Sequence, residues 1–203
     1  MIGILAGILT VVTAIAKVLA VASLAVEGLK MIGKAIIALG KALQVIMGDP
    51  KAEEMGDRSL QAEEAGIKPE KFNSYEEYMK EVSKFELNPE KSKSISLEAK
   101  LERAIRDISG LIAEKYPQFP IEQLVKYQVS NPGYFTPDRM TAFGNLIKSN
   151  SIDAKGVLNY LDGSERNGTR LGEAQKDLVA IEKKADPAIS DADALKNVVE
   201  ARK

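Results

Sequence analysis

The first 48 residues constrain this chain most, because they are far more apolar than the remainder. They contain 33 Ala, Val, Ile, Leu or Met residues, six Gly and no aromatic residue, and they carry a net charge of +3. The rest of the chain has a net charge of −4 and holds every Phe and Tyr, between Phe72 and Tyr160. Monomers in water tolerate exposed apolar patches of only a few hundred Å². We therefore expect something to cover this segment.

The segment 1–48 is predicted to be helical. Residues 1–26 hold a single charged side chain, Lys17, and about 20 apolar residues suffice for a bilayer core. Beyond residue 26, charged side chains recur at helical spacing and form a narrow basic stripe beside a wide apolar face. We predict either one helix or a hairpin broken near Glu27-Gly28. The predicted contacts with a membrane or a partner are Lys17, Lys30, Lys34 and Lys41.

Four arrangements of the segment 1–48 remain open from the sequence. The first is a cleaved signal peptide, although no basic region precedes the apolar run and no clear cleavage site follows it. The second is one transmembrane span over residues 2–26, with the basic stripe on the inner side. The third is a helix or hairpin that lies along a membrane or inserts into it conditionally. The fourth is a helix buried in an oligomer or beneath the rest of the chain.

The rest of the chain is predicted to form short helices. Residues 49–73 are predicted to be a polar linker with one helical stretch near 59–65, and residues 74–203 a soluble helical domain. Apolar residues from Leu97 to Ile112 recur at spacings of three and four, which is the strongest helical pattern in the chain. Ser74 and Thr136 occupy capping positions. The predicted helices are 74–85, 97–116, 120–130, 136–148, 151–161, 169–185 and 190–201.

No run of residues alternates apolar and polar side chains with a period of two, as a half-buried strand would. We therefore predict an all-α fold: a hydrophobic N-terminal helix or helical hairpin, followed by an irregular bundle of short helices.

The composition excludes several kinds of chemistry. The chain has no Cys and no His, so it has no disulfide, no thiolate or imidazole metal ligand and no Ser-His-Asp triad. No Gly-rich phosphate loop occurs. Basic residues are not interleaved with aromatic ones, as single-stranded nucleic-acid binding requires. We expect neither an enzyme, nor a cofactor, nor a bound metal, nor a nucleic-acid partner.

Two local patterns resemble known motifs only weakly. Residues 162–173 have Asp162 and Glu173 at the first and last positions of a calcium loop, but the glycine is displaced and Arg166 and Arg170 repel a cation. We predict a helix–helix turn there, with Thr169 capping the next helix. The spacing of Tyr134 and Asp138 resembles a type VII secretion motif, yet chance alone supplies about one such pair in this chain.

We therefore expect a non-enzymatic, membrane-associated protein that acts through residues 1–48. We expect this protein to be of bacterial or phage type and to form homo- or hetero-oligomers. The alternative is a structural or adaptor subunit of a multiprotein assembly, such as a phage virion, a secretion machinery or a toxin-associated complex, whose N-terminal helix packs against other subunits. A third hypothesis assigns protein binding to Tyr127, Tyr134 and Phe135, although buried aromatic side chains more often fill a core.

Overall fold

The computed structural model describes residues 2–22, 25–48 and 50–203, and for residues 2–4 it describes the backbone alone. The fold is all-α, as predicted: eleven α-helices, one short 3-10 helix (Pro69–Lys71) and no strand occur within these ranges. The helices are α1 (Ile2–Val21), α2 (Val26–Ala42), α3 (Ala52–Glu64), α4 (Tyr75–Lys84), α5 (Pro89–Ser94), α6 (Leu97–Lys115), α7 (Ile121–Ser130), α8 (Pro137–Lys148), α9 (Ala154–Leu161), α10 (Gly168–Ala185) and α11 (Asp191–Ala201).

Helix α6 lies at the centre of one half of the molecule. It packs against α1, α2, α3, α4 and α7. Ile105, Ile108 and Ile112 on this helix are completely buried, as the spacing of three and four predicted. Helices α8, α9, α10 and α11 form the other half, joined to the first mainly through contacts between α8 and α2.

The apolar segment 1–48 packs against the rest of the chain. Helix α1 lies on α6 and α7, and α2 lies between α6 and α8. The buried positions of α1 repeat at spacings of three and four, so one face of the helix enters the core. They are Leu5, Ile8, Val12, Ile15 and Leu19. Residues 50–203, called the body from here on, thus cover most of the large apolar side chains of the segment 1–48.

Helix α1 ends at Val21 and α2 begins at Val26. The helix is therefore interrupted just before Glu27, close to the position Glu27-Gly28 that the hairpin alternative predicted. Helix α2 ends at Ala42, before the predicted boundary at residues 48–50, of which Asp49 lies outside the described residues. Within the described ranges, no helix is both long enough and apolar enough to cross a membrane.

Side-chain caps begin several helices where the sequence predicted them. The hydroxyls of Ser74 and Thr136 accept hydrogen bonds from the backbone N–H groups of Glu77 and Arg139. The predicted cap at Thr169 is displaced, because Asn167 caps α10 instead.

A second difference concerns the Lys/Ser-rich segment 90–96, which lies between the predicted helices 74–85 and 97–116 and for which the sequence predicts a loop. Most of it belongs to the short helix α5, because the side chain of Asn88 accepts hydrogen bonds from the N–H groups of Glu90 and Lys91.

Residues 52–64 lie in the predicted linker, for which the sequence predicts one helical stretch near 59–65. They form α3, which begins earlier than that stretch and packs closely on α6. The contact is closest at Gly56, where an added Cβ would lie 1.7 Å from the carbonyl oxygen of Lys100. This oxygen belongs to the backbone of α6, so it cannot move without the helix.

We expect Gly56→Ala to lower the free energy of unfolding by about 3 kcal/mol, because overpacking forces α3 away from α6. Thermal or urea unfolding measures the loss. The matched control is Gly172→Ala on α10, where nothing lies within 4 Å of an added Cβ. Equal stability of the two variants would show that α3 does not pack on α6 in this way.

Candidate functional site

A groove between α2, α3 and α8 is lined by four lysines. Its volume is ≈ 1030 Å³. Helix α2 forms one side, the start of α3 another and the start of α8 a third, while Leu101 of α6, which is 2% exposed, lies at the bottom. We call this feature the lysine groove. Its lining is Lys30, Lys34, Ile37, Ala38, Lys41, Ala42, Pro50, Lys51, Ala52, Glu53, Leu101, Pro137 and Thr141.

The lysine groove is cationic and apolar at once. Its charged side chains are four lysines and Glu53, and the other lining residues apart from Thr141 are apolar. Among the described residues, no carboxylate lies within ion-pair distance of Lys34 or Lys51. Helix α3 also begins beside the groove, with the cationic side chain of Lys51 at the position where a capping oxygen usually lies. The partial positive charge of this helix end adds to that of the lysines.

Lys30 is partly neutralised by its neighbour on α2. Its ammonium group lies 2.8 Å from a carboxylate oxygen of Glu27, and this hydrogen bond raises the pKa of Lys30 and lowers that of Glu27. Both side chains remain charged at neutral pH. Lys34, Lys41 and Lys51 are the exposed lysines of the groove.

Three of the four lysines predicted as contacts meet in this groove. Lys30, Lys34 and Lys41 line it because they share one face of α2, whereas Lys17 lies on the exposed side of α1 and is not part of the lining. The sequence prediction missed Lys51. It enters the groove because the chain reverses direction between α2 and α3, and no pattern within a single helix reveals such an approach.

Helix α1 is attached to the rest of the chain by one apolar face. Among the described residues, no hydrogen bond or ion pair joins α1 to another helix; the hydroxyl of Thr10 donates within α1, to the carbonyl of Ala6 at 3.0 Å. The attachment is therefore made by apolar side chains alone. The opposite, exposed side of α1 carries small residues, one charge and, at its end, one larger apolar residue: Ala6, Gly7, Thr10, Thr13, Lys17, Ala20 and Val21.

A buried ionic cluster joins α3, α4 and α6. Asp107, which is completely buried, accepts hydrogen bonds from Arg103 Nε at 3.1 Å and from the Tyr75 hydroxyl at 2.8 Å. Arg103 also donates to Glu63 and to the hydroxyl of Tyr78 at 2.5 Å. We call this group the Arg103 cluster.

The ionisation of the Arg103 cluster follows from its burial. Burial raises the pKa of Tyr78 to about 12, and burial followed by the charge of Asp107 raises that of Tyr75. Burial alone would lower the pKa of Arg103, but Asp107 and its neighbours outweigh this effect and raise it. The cluster holds fixed charges and un-ionised tyrosines at neutral pH, which suits it to joining helices.

The predicted protein-binding aromatic residues are mostly internal. Tyr127 and Phe135 are each 1% exposed, and Tyr134 packs edge-on against Phe135 with ring centroids 4.9 Å apart. Arg139 lies over the Tyr134 ring and pairs with Glu182, its Nε lying 2.7 Å from Oε1. These side chains fill the core between α7, α8 and α10.

Within residues 162–173, a turn over 162–167 leads into α10, and two carboxylates of this turn accept hydrogen bonds from the protein itself. Asp162 accepts hydrogen bonds from Gln123 and from the backbone N–H of Ser164, and both lower its pKa against the opposing effect of burial. Glu165 accepts from the N–H groups of Arg166 and Asn167. Among the described residues, no group of three or more acidic side chains is arranged to hold a metal ion.

Neither a protein-family model, nor a curated protein, nor a solved structure matches this chain.

Proposed function

We propose that this chain is a non-enzymatic protein that associates with anionic membrane surfaces through its first two helices. The lysines of α2 contact the lipid headgroups. Helix α1 then leaves the body and lies in the interfacial layer with its apolar face toward the lipid. The observation that carries the proposal is the attachment of α1 by apolar contacts alone.

The energetics of this transfer support the proposal. The buried face of α1 exchanges one apolar environment for another, and the transfer breaks no hydrogen bond or ion pair among the described residues. The apolar faces of α6 and α7 that α1 covers are exposed by the transfer, so the proposal requires that lipid cover them too. The exposed face of α1 adds little cost at the interface, because Ala, Gly and Thr are small and Lys17 can extend its ammonium group to the headgroups.

The lysine groove supplies the electrostatic part of the attraction. A lysine close to an anionic leaflet contributes about 1 kcal/mol of binding free energy. Removal of the three positive charges of Lys30, Lys34 and Lys41 is therefore expected to lower the affinity for an anionic surface roughly a hundredfold.

Flotation of the full chain with vesicles tests the proposal. We expect the protein to float with vesicles that contain anionic lipid and to stay unbound with neutral vesicles. The variant Lys30→Gln/Lys34→Gln/Lys41→Gln is expected to bind anionic vesicles roughly a hundredfold more weakly. High salt is expected to weaken the binding of the native protein to anionic vesicles as well, because it screens exposed charges.

The matched control is Lys68→Gln/Lys148→Gln/Lys176→Gln, which removes three exposed lysines outside the groove. This control is expected to float as the native protein does. If both triple variants lost the same affinity for vesicles, binding would depend on the net charge of the protein and not on the lysines of the groove. If the native protein did not float with anionic vesicles, the proposal would be contradicted.

The exposed side of α1 favours a second candidate, a subunit of a multiprotein assembly. An added Cβ at Gly7 would meet nothing within 4 Å, so a helix of another subunit can approach α1 closely there. Light scattering after gel filtration without lipid tests this candidate. It predicts a homo-oligomer that Gly7→Leu dissociates, whereas a monomer at all concentrations argues against self-assembly.

A further inference from the structure

We infer that the lysine groove binds one molecule of a single-chain lipid with a phosphate head. The head lies among Lys34, Lys41 and Lys51, and the hydrocarbon chain lies against Ile37, Ala38 and Leu101. The inference rests on the proposed function in that both assign binding of anionic groups to Lys34 and Lys41. It goes beyond it in assigning a discrete site, which acts while α1 remains on the body.

The size and lining of the groove suit a ligand with two chemically different ends. Its volume of ≈ 1030 Å³ is at the upper end of the range for small-molecule sites, about 300–1,000 Å³. Ile37 is 8% exposed and Leu101 is 2% exposed, so they form a closed apolar bottom. The apolar surface that a hydrocarbon chain can still bury belongs to the half-buried Ala38, Ala42, Pro50 and Ala52 of the lining.

The charges of the groove determine the other end of the ligand. The lining holds four lysines and one carboxylate, and Lys30 is paired with Glu27 outside the lining. Among the described residues, no carboxylate lies within ion-pair distance of Lys34 or Lys51. Lysine binds phosphate as a compact point charge. The start of α3 adds its partial positive charge on the same side as Lys51. An apolar molecule without an anionic head would leave these charges unused, and a bare anion would leave the apolar surface exposed.

Helix α2 packs beside the two elements that complete the groove. At Gly33 an added Cβ would lie 3.5 Å from Ala52 Cβ and 4.0 Å from a methyl carbon of Leu101, which is ordinary van der Waals contact. The lysines of α2 are therefore held beside Lys51 by close packing of the helices beneath them. The site exists without any rearrangement of the chain.

Calorimetric titration with dodecyl phosphate below its micelle concentration tests the inference. We expect one molecule bound per chain, and binding of inorganic phosphate weaker by roughly tenfold or more because it buries no apolar surface. The variant Lys34→Gln/Lys51→Gln is expected to lose roughly tenfold or more in affinity for dodecyl phosphate. The control Lys68→Gln/Lys148→Gln is expected to bind as the native chain does.

Ala38→Phe separates this inference from the proposed function. The added ring occupies the apolar part of the groove and keeps every lysine, so dodecyl phosphate is expected to lose affinity while flotation with anionic vesicles continues. Thermal unfolding verifies that the variant folds. Equal affinities for dodecyl phosphate and inorganic phosphate, or unchanged affinity in the lysine double variant, would overturn the inference even if the native protein floats.

Discussion

A chain that begins at residue 49 is expected not to fold. Roughly a third of the buried apolar side chains in the described structure come from α1, α2 and the turn that follows, among them Leu29, Ile36 and Leu39. Each contributes about 1.5–3 kcal/mol when fully buried. Their combined loss, on the order of 20 kcal/mol, exceeds the total stability of about 5–15 kcal/mol that domains usually have.

Circular dichroism and thermal unfolding of residues 49–203 measure this effect. The matched control ends at residue 189 and lacks α11, which removes only Ala194 and Val198 from the buried apolar side chains of the described structure. We expect the control to unfold cooperatively at a reduced temperature, and residues 49–203 to show no cooperative transition. A cooperative transition in residues 49–203 would mean that the first two helices are an appendage to an independent domain.

Replacement of Asp107 by Ala is expected to lower the free energy of unfolding by about 3–5 kcal/mol. Arg103 is 5% exposed and would keep its charge after losing Asp107, its main buried partner. Its other carboxylate partner, Glu63, lies at the edge of the cluster and has a side chain that is 43% exposed, so it compensates the charge less well. The Tyr75 hydroxyl would also lose its acceptor.

The control for Asp107→Ala is the double variant Arg103→Met/Asp107→Leu, measured by urea unfolding beside it. Replacing a whole buried pair with apolar side chains is often neutral or stabilising, whereas removing one partner is costly. We therefore expect the double variant to be more stable than Asp107→Ala. A loss below about 1 kcal/mol in Asp107→Ala would show that the Arg103 cluster is more hydrated than its burial indicates.

The helices of the body were largely predictable because their signals are local. The spacing of apolar residues along α6 and the capping residues Ser74 and Thr136 act within one or two turns of the backbone. The packing of α1 and α2 was not predictable in the same way. An apolar face has the same sequence pattern whether protein or lipid covers it, so the sequence alone left four arrangements open.

The lysines of the groove were only partly predictable from the sequence, because only part of their arrangement is local. Lys30, Lys34 and Lys41 share a helical face, which their spacing reveals. Lys51 joins them from another element, and the break between α1 and α2 separates them from Lys17. Both facts depend on where the chain turns, and turn directions are set by tertiary packing.

One pair of the Arg103 cluster is visible in the sequence. Arg103 and Asp107 are four residues apart on α6, the spacing at which opposite charges pair on a helix. Each of them directly precedes a core residue, Ala104 or Ile108, so the pair lies beside the buried face of α6. What the sequence could not reveal is that α3 and α4 supply Glu63, Tyr75 and Tyr78 to the same cluster.

The most direct test of the central claim follows α1 itself. The chain contains no Trp, so Leu9→Trp, at a half-buried position of α1, places a single fluorophore on the helix. We expect anionic vesicles with quenchers on the acyl chains to quench its emission, and neutral vesicles to leave it unchanged. A Trp at Leu195, on α11, is the control and is expected to stay unquenched. Unquenched emission from Leu9→Trp with anionic vesicles would contradict the account, because α1 would then have remained on the body.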